Sequence, residues 1–366
     1  MEKFDIIFNI FKNKYGIKIG KLLGKGGFGE VREIINKNKT YAGKLVKKNC
    51  KARKTGSESD NDQQKDNIIL KLKSTNIVQI YNIYDEIYKE KDKEEIYNLI
   101  VMEKAVLKDL KTFIKSLFYQ NIDHLMYIPF KDIIGDNLLK YFCLQLVKGL
   151  EYFDRNNLIH FDIKPENILI FLELSLKLSD FGLLKDTSEI DKIRIPGGTP
   201  GYLSPEYYKN QKIKLPVEIA KKQDYFALGV TIFFIKYGKS LIKNRLHKSN
   251  KSEENKVNQE YIIDTLQKQL VFIKSDKLSD KDFVKFLCSL IQIEPEERPS
   301  FEEIYRDKWL NKNLDELKKV LKCFGNDEPK FLVEIRKSDF LFEKKKDLEK
   351  DKNKKKKFVF IPKNKK

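Results

Sequence analysis

The sequence predicts an α+β fold of two lobes, a small antiparallel β lobe carrying one helix and a larger, mainly α lobe. Three observations predict it. Short β-rich runs separated by turn residues fill the chain up to Met102, apolar residues switch to a helical period after Lys104, and 366 residues suffice for two or three compact units with ordinary cores.

Residues 17–23, 30–35 and 40–46 are β-rich and separated by Gly-rich or Asn/Lys-rich turns, which reads as a meander. Residues 47–65 are polar and nearly devoid of large apolar side chains, so a loop is expected there, with a helix beginning near Gln63 and turning Ile68, Ile69 and Leu72 to one side. Residues 77–84 and 96–102 form two further strands joined by a charged turn over 89–95. Leu138, Phe142, Leu146, Leu150 and Phe153 then recur at helical spacing, and helical periodicity continues to about Trp309. Leu314, Leu317, Leu321 and Phe324 predict one more amphipathic helix, ending at Gly325. The lysine-rich stretch 344–366 is expected to be disordered. The division is an N-terminal extension over 1–14, a domain over 15–313 whose lobes (15–103 and 104–313) meet near Glu103, and a C-terminal helix and basic tail over 314–366.

A hydrophobic content of 41% and an aromatic content of 12% exclude a disordered chain. Cys50, Cys143, Cys288 and Cys323 lie far apart with no Cys-x-x-Cys pair, and only three histidines exist, which argues against a zinc cluster or disulfide scaffold and for an intracellular location, cytoplasmic or nuclear. Met1-Glu2-Lys3-Phe4 lacks a leader pattern and a myristoylation glycine. The apolar run 226–235 is about half the length of a membrane helix, so no membrane span is expected. A net charge of +19 favours acidic partners or polyanions, with the basic tail as their contact, although Lys, Asn and Ile are abundant throughout. Nucleic acid is not the expected partner, because no stacking-aromatic or groove-reading motif accompanies the charge.

Gly24-Lys25-Gly26-Gly27-Phe28-Gly29-Glu30-Val31 sets four glycines between two strands, where unhindered backbone N–H groups can approach phosphate oxygens. Alone it also reads as a tight turn. Lys44, fifteen residues after Gly29, stands inside the apolar strand Tyr41-Ala42-Gly43-Lys44-Leu45-Val46, an arrangement that is an ordinary solvated edge unless an anion meets it. His160-Phe161-Asp162-Ile163-Lys164-Pro165-Glu166-Asn167 supplies a carboxylate, an ammonium and an amide, and Asp180-Phe181-Gly182 follows eighteen residues after Asp162.

In this order these motifs resemble the eukaryotic protein kinase family, serine/threonine type, over about residues 15–313. The resemblance implies a two-lobed kinase fold, ATP and Mg²⁺ as cofactors, and transfer of the γ-phosphate to Ser or Thr of protein substrates. It implies that Gly24, Gly26 and Gly29 cover the phosphates, that Val31 and Ala42 sandwich adenine with Leu169, and that Lys44 holds the α and β phosphates. Met102 corresponds to the gatekeeper, Glu103 and Ala105 to the backbone groups at the adenine edge, and Asp109 to the ribose-binding acid. Asp162 would accept the hydroxyl proton, Lys164 would steady the γ-phosphate, and Asn167 and Asp180 would ligate Mg²⁺. Gly198-Thr199-Pro200-Gly201-Tyr202-Leu203-Ser204-Pro205-Glu206 is similar to the family's segment closing the activation loop, which implies an ion pair of Glu206 with Arg298 and a brace from Asp224 to the loop around His160. Lys164 and Thr199 are the serine/threonine-type choices. Phe234 stands where arginine-directed members often carry a glutamate, which weakens any preference for arginine before the target.

Two departures from the family concern the partner of Lys44 and the activation-loop switch. The helix acid that pairs with the strand lysine is replaced by Lys65, leaving Asp66 as the expected partner of Lys44 when nucleotide is bound, provided the register shifts by one residue, about 100° of helix. Phe161 replaces the arginine of His-Arg-Asp, and Ile195 stands where the family's phosphorylated residue often lies, with Thr187 and Ser188 as remaining candidates. These changes predict an activation loop held by apolar packing of Phe161 against Ile193 or Ile195, and activity independent of loop phosphorylation. The competing reading is a pseudokinase scaffold that binds nucleotide or a partner.

Overall fold

The computed structural model describes residues 3–26, 29–48, 57–90, 93–122, 134–209, 213–242 and 259–312. The first lobe is built on β1 (Lys18–Gly26), β2 (Gly29–Asn36), β3 (Lys39–Lys48), β4 (Ile80–Glu90) and β5 (Lys93–Met102), antiparallel in the order β1-β2-β3-β5-β4. The β4–β5 register runs from Ile80↔Met102 to Glu90↔Lys93, so the ladder continues through most of the charged stretch expected to be a turn. Backbone pairing across adjacent strands does not require apolar side chains, and here Lys89 and Glu94 pair across it.

A helix absent from the sequence reading, α1 (Lys3–Tyr15), precedes the sheet. Its Ile7, Phe8 and Phe11 are buried against Ile34, Leu45, Tyr97, Leu99 and Val101, one face of the sheet. Burying each such side chain is worth about 1.5–3 kcal/mol relative to exposure. Side chains alternate along a strand, so Ala42 and Met102 belong to the opposite face and join the main core. The second helix, α2 (Ser57–Lys71), begins at Ser57 and not near Gln63. The stretch Ser57-Glu58-Ser59-Asp60-Asn61-Asp62 holds no apolar residue and so carries no hydrophobic period.

The second lobe contains α3 (Leu110–Ile122), α4 (Asp136–Arg155), α5 (Pro205–Lys209), α6 (Val217–Tyr237), α7 (Gln259–Lys274), α8 (Lys281–Leu290), α9 (Phe301–Tyr305) and α10 (Lys308–Asn311). Of the α4 residues named by periodicity, Phe142, Leu146, Leu150 and Phe153 are buried. The apolar run 226–235 lies in α6, buried on all sides, and no helix among the described residues is long and apolar enough to cross a membrane. Trp309 stacks on Phe286 at 5.5 Å and closes the far end of the core.

Short strands thread this helical frame. β6 (Leu107–Asp109), β8 (Ile168–Ile170) and β9 (Leu176–Leu178) form a three-stranded sheet, while β7 (Leu158–Ile159) pairs with β10 (Lys185–Asp186) and β11 (Lys192–Ile193) with β12 (Leu215–Pro216). At two or three residues each they are too short for a period to show in sequence. They deliver the polar segments 160–167 and 180–182 to the junction of the lobes. The expected helix at 314–325 and the tail at 344–366 lie outside the described residues.

Candidate active site

The segment leaving β7 is clamped from below by Asp224 of α6, whose carboxylate accepts from the backbone N–H of His160 at 2.7 Å and of Phe161 at 2.9 Å. Burial pushes the Asp224 carboxyl up to about 7, against those two donors, which pull it down. The clamp holds Phe161 at φ 63, a left-handed conformation that costs a non-glycine residue ~1–2 kcal/mol. His160 contacts Ser179 O through Nε2 at 3.0 Å, and its Nδ1 accepts from the Asp162 N–H at 3.2 Å. These partners select the neutral ring with its proton on Nε2, and burial lowers its pKa.

Four groups converge on Asp162. Its Oδ2 accepts from Lys164 Nζ at 2.6 Å and Asn167 Nδ2 at 2.8 Å, and its Oδ1 from the Thr199 hydroxyl at 2.7 Å and N–H at 3.2 Å. The Thr199 hydroxyl in turn accepts from Lys164. Ser179 donates from N–H and hydroxyl to Asn167 O, both at 2.8 Å, which brings Asn167 beside Asp180. Asp180 is also left-handed (φ 63, ψ 73), and Phe181 packs edge-on against His160 and Phe153. Lys44 Nζ lies 2.7 Å from Asp180 Oδ1. Burial alone would raise the Asp180 pKa, and the Lys44 ammonium outweighs it and holds the carboxyl below its usual range.

The expected pairing of Lys44 with Asp66 is not the arrangement found. Asp66 pairs with Lys48 at 3.6 Å, while Lys65 donates to Gly182 O, so the unshifted helix register turns Lys65 to the Asp180-Phe181-Gly182 turn. Above, β1 and β2 pair Gly24↔Val31, Lys25↔Glu30 and Gly26↔Gly29. Gly29 (φ 150) admits no side chain, because a Cβ would lie 2.0 Å from Leu45 O, whereas a Cβ on Gly24 or Gly26 would meet nothing within 4 Å. Open space over bare backbone is what an approaching phosphate needs.

Ala42 pairs with Met102 in register, and both are buried. Val31 and Leu169 are half-buried against the main core, and Ala105 is half-buried in the connection between lobes. The Glu103 N–H donates to Gln79 O at 3.0 Å. Its carboxylate pairs with Lys177 at 2.7 Å and accepts from the Gln79 N–H at 2.7 Å, a junction the sequence reading missed. Asp109 accepts from the Thr112 N–H and hydroxyl, both at 2.8 Å, and so caps α3. The spacing of an acid three residues before Thr112 at a helix start carries that signal.

Residues 17–310 match the protein kinase domain model. The chain belongs to the protein kinase family. It is 26% identical over 324 residues to the DNA damage response protein kinase DUN1 of Saccharomyces cerevisiae, covering 82% of this chain and 56% of that protein. It is 28% identical over 307 residues to the probable serine/threonine-protein kinase CCRP1 of Zea mays (82% and 42%), and 26% identical over 296 residues to the Aurora kinase of Eremothecium gossypii (81% and 69%). The chain spans about half the length of the first two.

In this kinase domain the segment after Gly182 is anchored at several places. Phe161 is 1% exposed, in a cluster with Ile159, Ile193, Ile195 and Ala220. The Thr187 hydroxyl is buried and donates to Asn157 O at 2.7 Å, while exposed Ser188 bonds Asp186. Further on, Arg298 meets Glu206 in a buried two-point pair, both contacts at 2.7 Å, and also donates to Gln292 O, Ile293 O and Lys222 O. Ser204, where the family usually has alanine, donates from N–H and hydroxyl to Gln223.

Proposed function

We propose that this kinase domain transfers the γ-phosphate of ATP to Ser or Thr hydroxyls of proteins, and does so without a phosphate on its activation loop. The observation that carries the reading is Asp162, an acceptor held by Lys164, Asn167 and Thr199 in one network. In this reading Asp162 takes the hydroxyl proton and Lys164 offers its charge to the γ-phosphate. Gly24, Gly26 and Gly29 bring backbone N–H groups over the phosphates, and Lys44 supplies the cation. Val31, Ala42 and Leu169 enclose the base beside Met102, with the Glu103 carbonyl and the Ala105 backbone at its edge. Asp109 is the ribose-side acid and caps its helix at the same time.

Asp180 and Asn167 would hold Mg²⁺, which when bound would supply charge neutralisation to the phosphates. The residues fit it. Asp180 is kept ionised, and Asn167, whose Nδ2 is used on Asp162, has its Oδ1 left as a hard oxygen donor. Phosphoryl transfer asks for positioning and charge neutralisation more than covalent chemistry, and this donor set supplies both.

Independence from loop phosphorylation rests on Phe161, which has no charge to receive a phosphate and a buried ring to hold the loop instead. Phosphatase-treated protein is expected to keep most of its activity, as is the Thr187→Ala, Ser188→Ala variant. A roughly tenfold loss after phosphatase, restored by rephosphorylation at either residue, overturns this part. A second reading, a scaffold that binds nucleotide without turnover, is favoured by Lys65 standing where an acid would pair with Lys44. The same proposal extends to a cytoplasmic or nuclear location on cysteine usage, and to acidic partners met through the lysines of 344–366, outside the described residues.

A further inference from the structure

We infer that α1, which lies before the stretch matching the family, is a positioning element of the nucleotide site that sets the Gly-rich turn through Asp5, Arg32 and Glu30. The inference rests on the reading of that turn as the phosphate cover. Along β2, residues 30, 32 and 34 share one face and Val31 faces the other. Ile34 packs under α1, so Glu30 and Arg32 lie on the α1 side of the sheet, behind the surface assigned to adenine.

Glu30 is 2% exposed and adjoins Gly29, the last residue of the turn. A carboxylate so placed needs a cation. Arg32 provides it, with Nε 2.6 Å from Glu30 Oε1, and the same guanidinium reaches Asp5 of α1 at 2.5 Å and lies 4.9 Å over the Phe8 ring. The other Glu30 oxygen faces Lys25 of the opposite strand at 3.8 Å, so the network grips both sides of the turn. A second route converges on the same place. Gly29 stands where a Cβ would lie 2.0 Å from Leu45 O, and Leu45 is fully buried in one cluster with Ile7, Phe8 and Phe11. Loss of the α1 charge releases the Arg32 fork and lets the hairpin carrying the Gly-rich turn twist away from the phosphates.

The test uses the full chain with Mg-ATP and a peptide substrate. Binding of Mg-ATP is measured by calorimetry, and KM for ATP and for peptide by labelled phosphate transfer, in the unaltered protein and in Asp5→Asn, Asp5→Glu, Arg32→Gln and the Asp5→Asn, Arg32→Gln double variant. Asp5→Asn is expected to raise Kd and KM for ATP about three- to tenfold with peptide KM unchanged, and Asp5→Glu to restore most of the loss. The double variant should be no worse than Arg32→Gln alone, because both act through one guanidinium. Should Arg32→Gln unfold, the Asp5→Asn and Asp5→Glu pair decides. Mg-ATP affinity unchanged within twofold in Asp5→Asn overturns the role of α1 and leaves the kinase reading standing. An unaltered chain that binds no Mg-ATP overturns the nucleotide reading, and this inference with it.

Discussion

Phe161→Ala isolates what holds the activation loop. The ring is 1% exposed among Ile159, Ile193, Ile195 and Ala220, a cluster separate from the main core that ties the catalytic strand β7 to β11 and to the first turns of α6. Phenylalanine-to-alanine truncation in such a place costs about 3–5 kcal/mol, the transfer term plus the cavity left behind. The backbone contribution cancels, because alanine is no better suited than phenylalanine to φ 63. With a urea slope of about 1–3 kcal/mol per M, the midpoint should fall by roughly 1 M or more. Trp309, the single tryptophan, reports unfolding by fluorescence. Ile195 lies four residues before Thr199, which bonds Asp162, so phosphotransfer should fall together with stability. Phe161→Arg should not raise activity, since its guanidinium enters an apolar pocket. An unchanged midpoint and unchanged turnover in Phe161→Ala would refute the argument that apolar packing replaces a phosphate.

Arg298→Met strands the buried Glu206 carboxylate and is expected to cost about 3–5 kcal/mol in urea melts, much of it recovered in the Arg298→Met, Glu206→Leu double variant; a single variant as stable as the parent contradicts this. His160 is buried neutral with its pKa below the ordinary 6.5, so the unfolded chain binds the extra proton. Its contribution is therefore present above pH 6.5 and lost on acidification, with a limiting slope of about 1.4 kcal/mol per pH unit, and in His160→Gln the urea midpoint should rise on acidification just below 6.5, because Asp224, raised to about 7, then acts unopposed in the other direction. Lys65→Met removes the donor to Gly182 O and should lower turnover severalfold with peptide KM unchanged; full turnover would make Lys65 an ordinary surface lysine.

Local chemistry made much of this legible. The Gly-rich hairpin, the segment 160–167 and the strands of the small sheet carry their signals within a few residues, and an apolar Phe161 followed by Ile193 and Ile195 pointed to their packing. The helix α1 was written in the spacing of Phe4, Ile7, Phe8 and Phe11, but its burial depends on a sheet face formed much later in the chain. The early start of α2 was hidden because polar residues carry no apolar period. Partners within the site were harder to read. Whether Lys65 or Asp66 turns inward is a matter of one residue of helix rotation, fixed by how Ile69 and Leu72 seat in the core. The Asp109 cap of α3 lies in local spacing, whereas the Glu103 pair with Lys177 follows from a tertiary contact no spacing reveals.

The central claim is tested most directly by incubating the purified chain with labelled Mg-ATP and a degenerate Ser/Thr peptide library, beside Asp162→Asn and Asp180→Asn. Label is expected on Ser or Thr from the unaltered protein, with kcat lowered by roughly a hundredfold or more in each variant, because proton acceptor and metal ligand act in the transition state. Equal incorporation by all three proteins, or none by the unaltered chain while it binds Mg-ATP, would contradict it.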